Sequence, residues 1–164
     1  MSKTEKNLQE AFAGESQANR KYLAFAKQAD AEGYRQVGKL FRAAAEAETV
    51  HAINHLKELG GIKTTKENLD TAINGESYEF QKMYPQMIVD AKAEGKSSAL
   101  RSFDLANKVE KIHAELYRKA LSNLGKNPQV EYYVCQVCGN TVEGNPPDIC
   151  SICGSKKEMF TKTE

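Results

Sequence analysis

Glu48-Thr-Val-His51 and Glu110-Lys-Ile-His113 are two copies of one motif, Glu-x-x-His, in a chain of 164 residues. Each follows a Gly-Glu-Ser triplet, Gly14-Glu15-Ser16 in the first half and Gly75-Glu76-Ser77 in the second. Because the spacing from triplet to motif differs by only one residue between the halves, we interpret the chain as an internal duplication of a helical hairpin. The four helices this predicts are broken at glycine-containing pairs: Glu32-Gly33, Gly60-Gly61 and Glu94-Gly95.

The glutamates of these motifs lie on the apolar stripes of their helices. Each of the four stripes carries a carboxylate, and none carries Lys or Arg. Burying ionised carboxylates without partners is costly, so several in one core need a compensating cation. Residues at i and i+3 point the same way, and each Glu-x-x-His can therefore ligate one metal ion. A single Glu-x-x-His on a charged helix is a common surface feature, but the duplicated pattern is that of a di-iron or di-manganese carboxylate bundle.

Glu79, three residues after Glu76, is a further inward carboxylate that a six-ligand site does not require. Five carboxylates leave a formal charge of minus one with two ferrous ions and plus one with two ferric ions. We therefore hypothesise that Glu79 is a ligand whose binding depends on oxidation state. Pro85 removes one helical hydrogen bond and predicts a kink near Gln81. Tyr22 and Tyr84 are either proton donors to the carboxylates or plain core aromatics.

The four cysteines form two Cys-x-x-Cys-Gly motifs near the end of the chain, Cys135 to Gly139 and Cys150 to Gly154. Two such knuckles, with eleven residues between Cys138 and Cys150, predict a tetrahedral tetrathiolate metal site. Two disulfides are the alternative, which the clustering of the cysteines and the lack of a signal-peptide pattern disfavour. Sulfur ligands suit structural zinc and redox-active iron equally well, so the spacing alone does not choose the metal.

The combined motifs resemble the rubrerythrin family over nearly the whole chain. The resemblance implies an all-α, ferritin-like four-helix bundle in residues 1–126 and a small rubredoxin-like domain in residues 130–164. It implies iron in both sites. The residues that match the family's di-iron ligands are Glu15, Glu48, His51, Glu76, Glu79, Glu110 and His113, and those that match its Fe(Cys)4 ligands are Cys135, Cys138, Cys150 and Cys153.

The function implied by the resemblance is that of a non-haem peroxidase, which reduces hydrogen peroxide to water in oxidative-stress defence. Electrons would come from an NAD(P)H-dependent reductase, with or without rubredoxin, through the Fe(Cys)4 centre. In the family one iron exchanges His for Glu on oxidation, which corresponds here to His51 and Glu79. Glu79, Tyr22 and Tyr84 are the candidate catalytic residues. A ferroxidase, or a module whose cysteines hold zinc, is the alternative.

The family resemblance also suggests a homo-oligomer in which the rubredoxin-like domain of one chain approaches the di-iron site of another. The net charge of +1 argues against nucleic-acid and membrane partners, and a cytoplasmic enzyme is expected. We expect Gly61 to Ala72 to be a long connection, which must run the length of the bundle if the second and third helices are parallel. Such a connection would also permit exchange of hairpins between two chains.

Overall fold

The computed structural model describes all residues from Met1 to Glu164. The chain forms two compact units, Met1–Lys63 and Thr64–Glu164. The first is a helical hairpin, and the second contains another helical hairpin followed by a small antiparallel sheet. No helix is both long enough and apolar enough to cross a membrane.

The first hairpin consists of α1 (Lys3–Ala31) and α2 (Arg35–Glu58). Ser2 caps α1 through a capping box with Glu5, in which each side chain accepts a hydrogen bond from the other residue's backbone N–H. Gly33 has a φ of +87°, a conformation that favours glycine, and it makes the predicted turn between the helices.

The two helices of this hairpin approach closely because small residues line their contact. Ala26, Ala29, Ala45 and Ala52 are all buried. At Gly38 an added Cβ atom would lie only 2.3 Å from Asp30 Oδ1 and 3.3 Å from the Ala26 carbonyl oxygen, so a larger residue there would displace the Asp30 side chain from its ion pair with Arg42. This close contact fixes the register between α1 and α2.

The second hairpin has one interrupted helix and one continuous helix. The first of these runs as α3 (Thr65–Tyr78), a π-helical turn (Glu79–Met83) and α4 (Tyr84–Ala93), and α5 spans Ser97–Ser122. The irregularity expected near Gln81 is therefore present as a π turn. Pro85 has no N–H to donate to Gln81, and the Tyr84 N–H donates to the Glu79 carbonyl, five residues earlier, as in a π-helix.

The connection between the hairpins is shorter than expected. Thr64 caps α3 through a capping box with Glu67, so this helix begins at Thr65 and only Leu59 to Thr64 link it to α2. The expectation of a long connection from Gly61 to Ala72 is wrong, because Thr64-x-x-Glu67 is a helix-start signal that the glycine pattern obscured.

The small sheet has the strand order β2-β1-β3 and is antiparallel throughout. Its strands are β1 (Tyr132–Cys135), β2 (Thr141–Glu143) and β3 (Phe160–Lys162). Val134 of β1 pairs with Thr141 on one side and with Thr161 on the other. The core of the small sheet consists of Cys135, Cys150 and Phe160, so two of its three buried residues are candidate metal ligands.

Candidate metal centres

The first hairpin brings together Glu15, Glu48 and His51, which we call the first half-site. One potential ligand atom from each residue lies within 4.8 Å of the others. His51 Nδ1 is 2.9 Å from Glu48 Oε2 and 3.9 Å from Glu15 Oε1. The His51 side chain is 54% exposed, whereas that of Glu48 is 18% exposed. The predicted pair of Glu48 and His51 on α2 thus faces the Glu15 carboxylate on α1.

A buried asparagine sets the register of this half-site. Asn19, one turn after Glu15, donates from Nδ2 to the Ala45 carbonyl oxygen at 2.7 Å and to Thr49 Oγ1 at 2.8 Å. Thr49 directly follows Glu48, so these hydrogen bonds fix the register in which Glu15 of α1 stands opposite Glu48 of α2. Asn19 lies on the apolar stripe of α1, where a buried polar residue requires partners.

The second hairpin brings together Glu76, Glu110 and His113, which we call the second half-site. His113 Nδ1 is 2.8 Å from Glu110 Oε2 and 3.9 Å from Glu76 Oε1, which repeats the geometry of the first half-site closely. All three side chains are less exposed than His51: their exposed fractions are 20% for Glu76, 16% for Glu110 and 26% for His113.

The carboxylates of the second half-site repel one another electrostatically. Burial, a hydrogen bond with Glu110, and the charges of Glu110 and Glu79 raise the pKa of Glu76 from 4.5 to about 7. Burial and the charge of Glu110 also raise the pKa of Glu79, an effect that His113 opposes. The charge of Glu110 thus acts on both groups, and Glu79, at the start of the π turn, belongs to the same charged cluster.

Tyr84 and Tyr22 differ in their surroundings. Burial and the charges of Glu110, Glu79 and Glu76 raise the pKa of Tyr84, which places its phenol beside the second half-site as a neutral O–H donor. Tyr22 contacts the rings of Phe25 and Phe41, with centroids 6.3 and 6.1 Å away. Tyr84 also packs on an aromatic ring, that of Phe103 at 6.3 Å, so it is the charges of the neighbouring carboxylates that favour a proton-donor role for Tyr84 over Tyr22.

The four cysteines form one cluster in the small sheet. Cys135 Sγ is 3.7 Å from Cys153 Sγ, and Cys138 Sγ is 3.7 Å from Cys150 Sγ. These separations are too long for disulfides, and all four cysteines are free. A tetrahedron with metal–sulfur bonds of about 2.3 Å has edges of about 3.75 Å, so the sulfur atoms already stand at the spacing of a tetrathiolate site.

Hydrogen bonds lower the pKa of Cys135 and Cys150 and so favour their thiolates, whereas burial and the neighbouring cysteines raise the pKa of Cys138. Burial alone would raise the pKa of Cys135, but the Ser155 hydroxyl and the backbone amides of Val137 and Cys138 outweigh it and lower that pKa to about 6. Asn140, which is 1% exposed, donates from Nδ2 to Cys150 Sγ at 3.5 Å. A thiolate stabilised in this way is ready to bind a metal ion.

The small sheet packs against α5 of its own hairpin. Thr141 Oγ1 is 3.0 Å from His113 Nε2, Gly139 lies against Val109, and Lys119 forms an ion pair with Glu143. The family resemblance suggested that this domain approaches the di-iron site of another chain, whereas here it contacts the second half-site of its own chain. The motifs carried no signal for this contact, because a threonine between two knuckles has no distinguishing pattern.

Both kinds of site fit iron. Each half-site offers two carboxylates and an imidazole, donors that suit ferrous and ferric ions, and the raised pKa of Glu76 marks negative charge that a cation would offset. The tetracysteine site offers four sulfur atoms at tetrahedral spacing. The pattern of donors is thus that of a di-iron centre together with a rubredoxin-type iron.

Comparison with known proteins agrees with this assignment. The family model described as Rubrerythrin matches residues 6–121, and the model for the rubredoxin-like domain of rubrerythrin matches residues 133–161. Rubrerythrin-2 of Clostridium acetobutylicum is 36% identical over 170 residues, which cover 93% of this chain and 92% of that protein. Nigerythrin of Nitratidesulfovibrio vulgaris is 37% identical over 172 residues, covering 96% and 85% respectively.

Solved structures of nigerythrin are also similar to this chain. Its mixed-valence state gives a TM-score of 0.60 at 34% identity, covering 99% of this chain and 88% of that one. Its fully reduced, all-ferrous state gives a TM-score of 0.61 at 33% identity with the same coverage. Proteins of this kind are linked to defence against peroxide and oxidative stress, and they commonly form oligomers. The chain therefore belongs to the rubrerythrin family, with a ferritin-like helical part and a rubredoxin-like part.

Proposed function

We propose that this protein is a peroxidase that reduces hydrogen peroxide to water, with electrons passed from an NAD(P)H-dependent reductase through the Fe(Cys)4 centre. The observation that carries the proposal is the contact between the tetracysteine domain and a carboxylate–histidine half-site within one chain. Iron storage or simple ferroxidase activity does not need a one-electron carrier beside the ligands. A peroxidase needs one after every turnover.

The proposed ligands divide between the two hairpins. The first hairpin would contribute three ligands to the di-iron centre and the second hairpin four: Glu15, Glu48 and His51 from the first, and Glu76, Glu79, Glu110 and His113 from the second. Cys135, Cys138, Cys150 and Cys153 would hold the single iron. The iron pair supplies two electrons and Lewis acidity, and reduction of one peroxide to two waters also consumes two protons.

The residues of this chain would supply and guide those protons. Tyr84 is a neutral phenol at neutral pH, as tyrosine ordinarily is, and burial and the neighbouring carboxylates raise its pKa further, so it can donate a hydrogen bond into the site. Glu79 is half-buried and its pKa is also raised, which suits a group that holds a proton in one oxidation state and binds metal in the other. Tyr22 is the weaker candidate.

A cavity of about 350 Å³ opens beside His113 and offers small molecules a route toward the second half-site. It is lined by residues of α3, α5 and the small sheet, among them Leu69, Leu116 and Tyr132. Peroxide is small enough to enter without any movement of the helices.

The experiment that tests this function is anaerobic stopped-flow absorption of the fully reduced iron protein. Mixing with hydrogen peroxide should develop the colour of the oxidised tetrathiolate iron much faster than mixing with oxygen does. Faster oxidation by oxygen would instead support a ferroxidase. Absence of colour with intact protein would indicate zinc in the cysteine site. A cysteine-site variant, Cys138→Ser, should still consume peroxide once but should fail to turn over with a reductase.

We further propose that the di-iron centre is completed by exchange of hairpins between two chains. Glu48 lies ten helical steps before the end of α2, and Glu76 lies eleven steps after the start of α3. If α2 and α3 run parallel, as a twofold-related bundle requires, the link must cover about 32 Å along the axis. The six residues from Leu59 to Thr64 reach about 25 Å at most. Two chains that exchange hairpins avoid this constraint.

Mixing two inactive variants tests the exchange directly. One variant carries Glu15→Ala and His51→Ala, and the other carries Glu76→Ala and His113→Ala. In an exchanged dimer, the mixed species has one site built entirely from intact halves, so co-expression should restore about a quarter of the wild-type peroxidase sites. Without exchange, every site contains a defective half, and co-expression restores nothing.

A further inference from the structure

The two nitrogen atoms of His113 face different groups. Nδ1 points at the carboxylates of the second half-site, 2.8 Å from Glu110 Oε2. Nε2 lies 3.0 Å from the hydroxyl oxygen of Thr141, which belongs to the tetracysteine domain. A neutral imidazole carries one proton, so the direction of the bond to Thr141 decides which nitrogen is left to bind metal.

A third group determines that direction. Thr141 Oγ1 is also 3.2 Å from the Gly139 carbonyl oxygen, which can only accept a hydrogen bond. The single hydroxyl proton of Thr141 therefore goes to Gly139, and its oxygen accepts the Nε2–H of His113. When a metal ion takes the place of the contact between Nδ1 and Glu110 Oε2, the proton of His113 is therefore held on Nε2 and Nδ1 is left to bind the metal.

Thr141 is itself held firmly in place. It pairs with Val134 in the sheet, directly beside the ligand candidate Cys135. Gly139, which receives its hydroxyl proton, follows Cys138 and packs against Val109, one turn before His113 on α5. The ion pair between Lys119 and Glu143 holds the other end of β2 against α5.

We propose that Thr141 is a positioning residue that fixes His113 as an Nδ1 metal ligand, so that the tetracysteine domain completes the second half-site of its own chain. The chain of contacts from Cys138 through Gly139 and Thr141 to His113 also joins the two metal sites without a gap. The proposal rests on the ligand role of His113 in the proposed function. It adds a residue outside the ligand set whose effect can be measured without turnover.

The first half-site provides an internal comparison. His51 faces Glu48 through Nδ1 in the same way, at 2.9 Å, but its Nε2 makes no hydrogen bond and its side chain is 54% exposed. The duplication therefore supplies two similar histidines, of which only His113 has its second nitrogen held.

The first measurement is nitrogen-15 NMR of histidine side chains in the full chain loaded with zinc, which is diamagnetic. The proposal expects a proton on Nε2 of His113 and metal on Nδ1. A proton on Nδ1 of His113 would overturn it. This readout needs no peroxide, so a failed peroxidase assay with the expected NMR pattern would sink the proposed function and leave the role of Thr141 standing.

The second measurement compares cobalt(II) binding by Thr141→Val, Thr141→Ser and Thr161→Val. Valine keeps the shape of threonine but cannot accept the Nε2–H, and we expect about 10- to 100-fold weaker binding at one helical site. Serine keeps the hydroxyl and should bind as wild type does. Thr161 pairs with the same Val134 but is exposed and faces no histidine, so its variant controls for strand stability.

The cobalt–thiolate absorption of the cysteine site reports whether the small domain is folded in each variant. Wild-type affinity in Thr141→Val with intact thiolate absorption would refute the positioning role. If Thr141→Val loses that absorption, the tautomer of His113 in the wild-type protein decides the question by itself.

Discussion

Glu76 gives the most quantitative prediction. In the metal-free protein a proton on its carboxyl group offsets negative charge that a bound metal ion would otherwise offset. Its pKa is raised from 4.5 to about 7 by burial and by Glu110 and Glu79. Folding without metal in the helical sites therefore favours the protonated form. The stability that this proton confers is fully present below pH 4.5 and is lost as the pH rises through 7.

The size of the effect follows from the shift. A rise from 4.5 to about 7 is equivalent to about 3.4 kcal/mol, of which about 2.5 kcal/mol would be lost between pH 5 and pH 8. The Glu76 side chain is 20% exposed, and solvent screening reduces the expected loss to about 1–1.5 kcal/mol. Glu76→Gln, which cannot ionise, should not show this loss.

The assay is urea unfolding of the full chain, followed by circular dichroism at both pH values, with one equivalent of zinc for the cysteine site. The informative quantity is the difference between wild type and Glu76→Gln, because other titrating groups cancel in it. Glu115→Gln, at an exposed position of α5, should behave as wild type. Saturating zinc should abolish the wild-type loss. Equal pH dependence in wild type and Glu76→Gln would refute the reasoning.

Three further predictions concern single residues. Asn19→Ala should lower the free energy of unfolding by about 1–2 kcal/mol in a urea titration, because two buried hydrogen bonds are lost, whereas the exposed Gln17→Ala should change it little. Tyr84→Phe should slow oxidation by peroxide by on the order of 10- to 100-fold in stopped-flow absorption, and an equal effect of Tyr22→Phe would contradict the proton-donor assignment. Glu79→Ala should retain ferrous iron but alter the absorption spectrum of the oxidised di-iron site and lower turnover; an unchanged spectrum would remove Glu79 from the ligand set.

The motifs predicted each half-site well because their geometry is local. Residues at i and i+3 on one helix must lie on the same face, whatever the rest of the chain does, so Glu48–His51 and Glu110–His113 were certain to form pairs if helical. The positions of the two hairpin turns were also predictable from local sequence, since Glu32-Gly33 and Glu94-Gly95 mark them. The four predicted helices are all present.

The π turn was visible in the sequence as a difference of one residue between the two repeats. The helix continues one residue further from Glu76 to the end of α4 than from Glu15 to the end of α1. The turns between helices are equally long in both hairpins, and Glu48 and Glu110 lie equally far into α2 and α5. The extra residue of the second repeat therefore falls in the helix that contains the π turn.

That extra residue also affects Glu79 and Phe80, the first two residues of the π turn. A regular α-helix turns one of them away, but a π turn widens the helix and brings both toward the interior, where each is half-buried. By contrast, the contact of Thr141 with His113 joins residues 28 positions apart, and no local rule connects them. Docking of the small domain depends on the shape of two folded surfaces.

The two histidines, equivalent by duplication, are not equivalent in the folded chain. Releasing His113 from a metal would break or strain its bond to Thr141, whereas His51 can turn away without losing a second hydrogen bond. The exposed fraction of His51, about twice that of His113, leaves room for such a movement. If one histidine gives way to a carboxylate when the irons are oxidised, the free energy of the exchange is lower at His51. Thr141→Val should narrow this difference, and histidine NMR of the reduced and oxidised protein would then show movement at both positions instead of one.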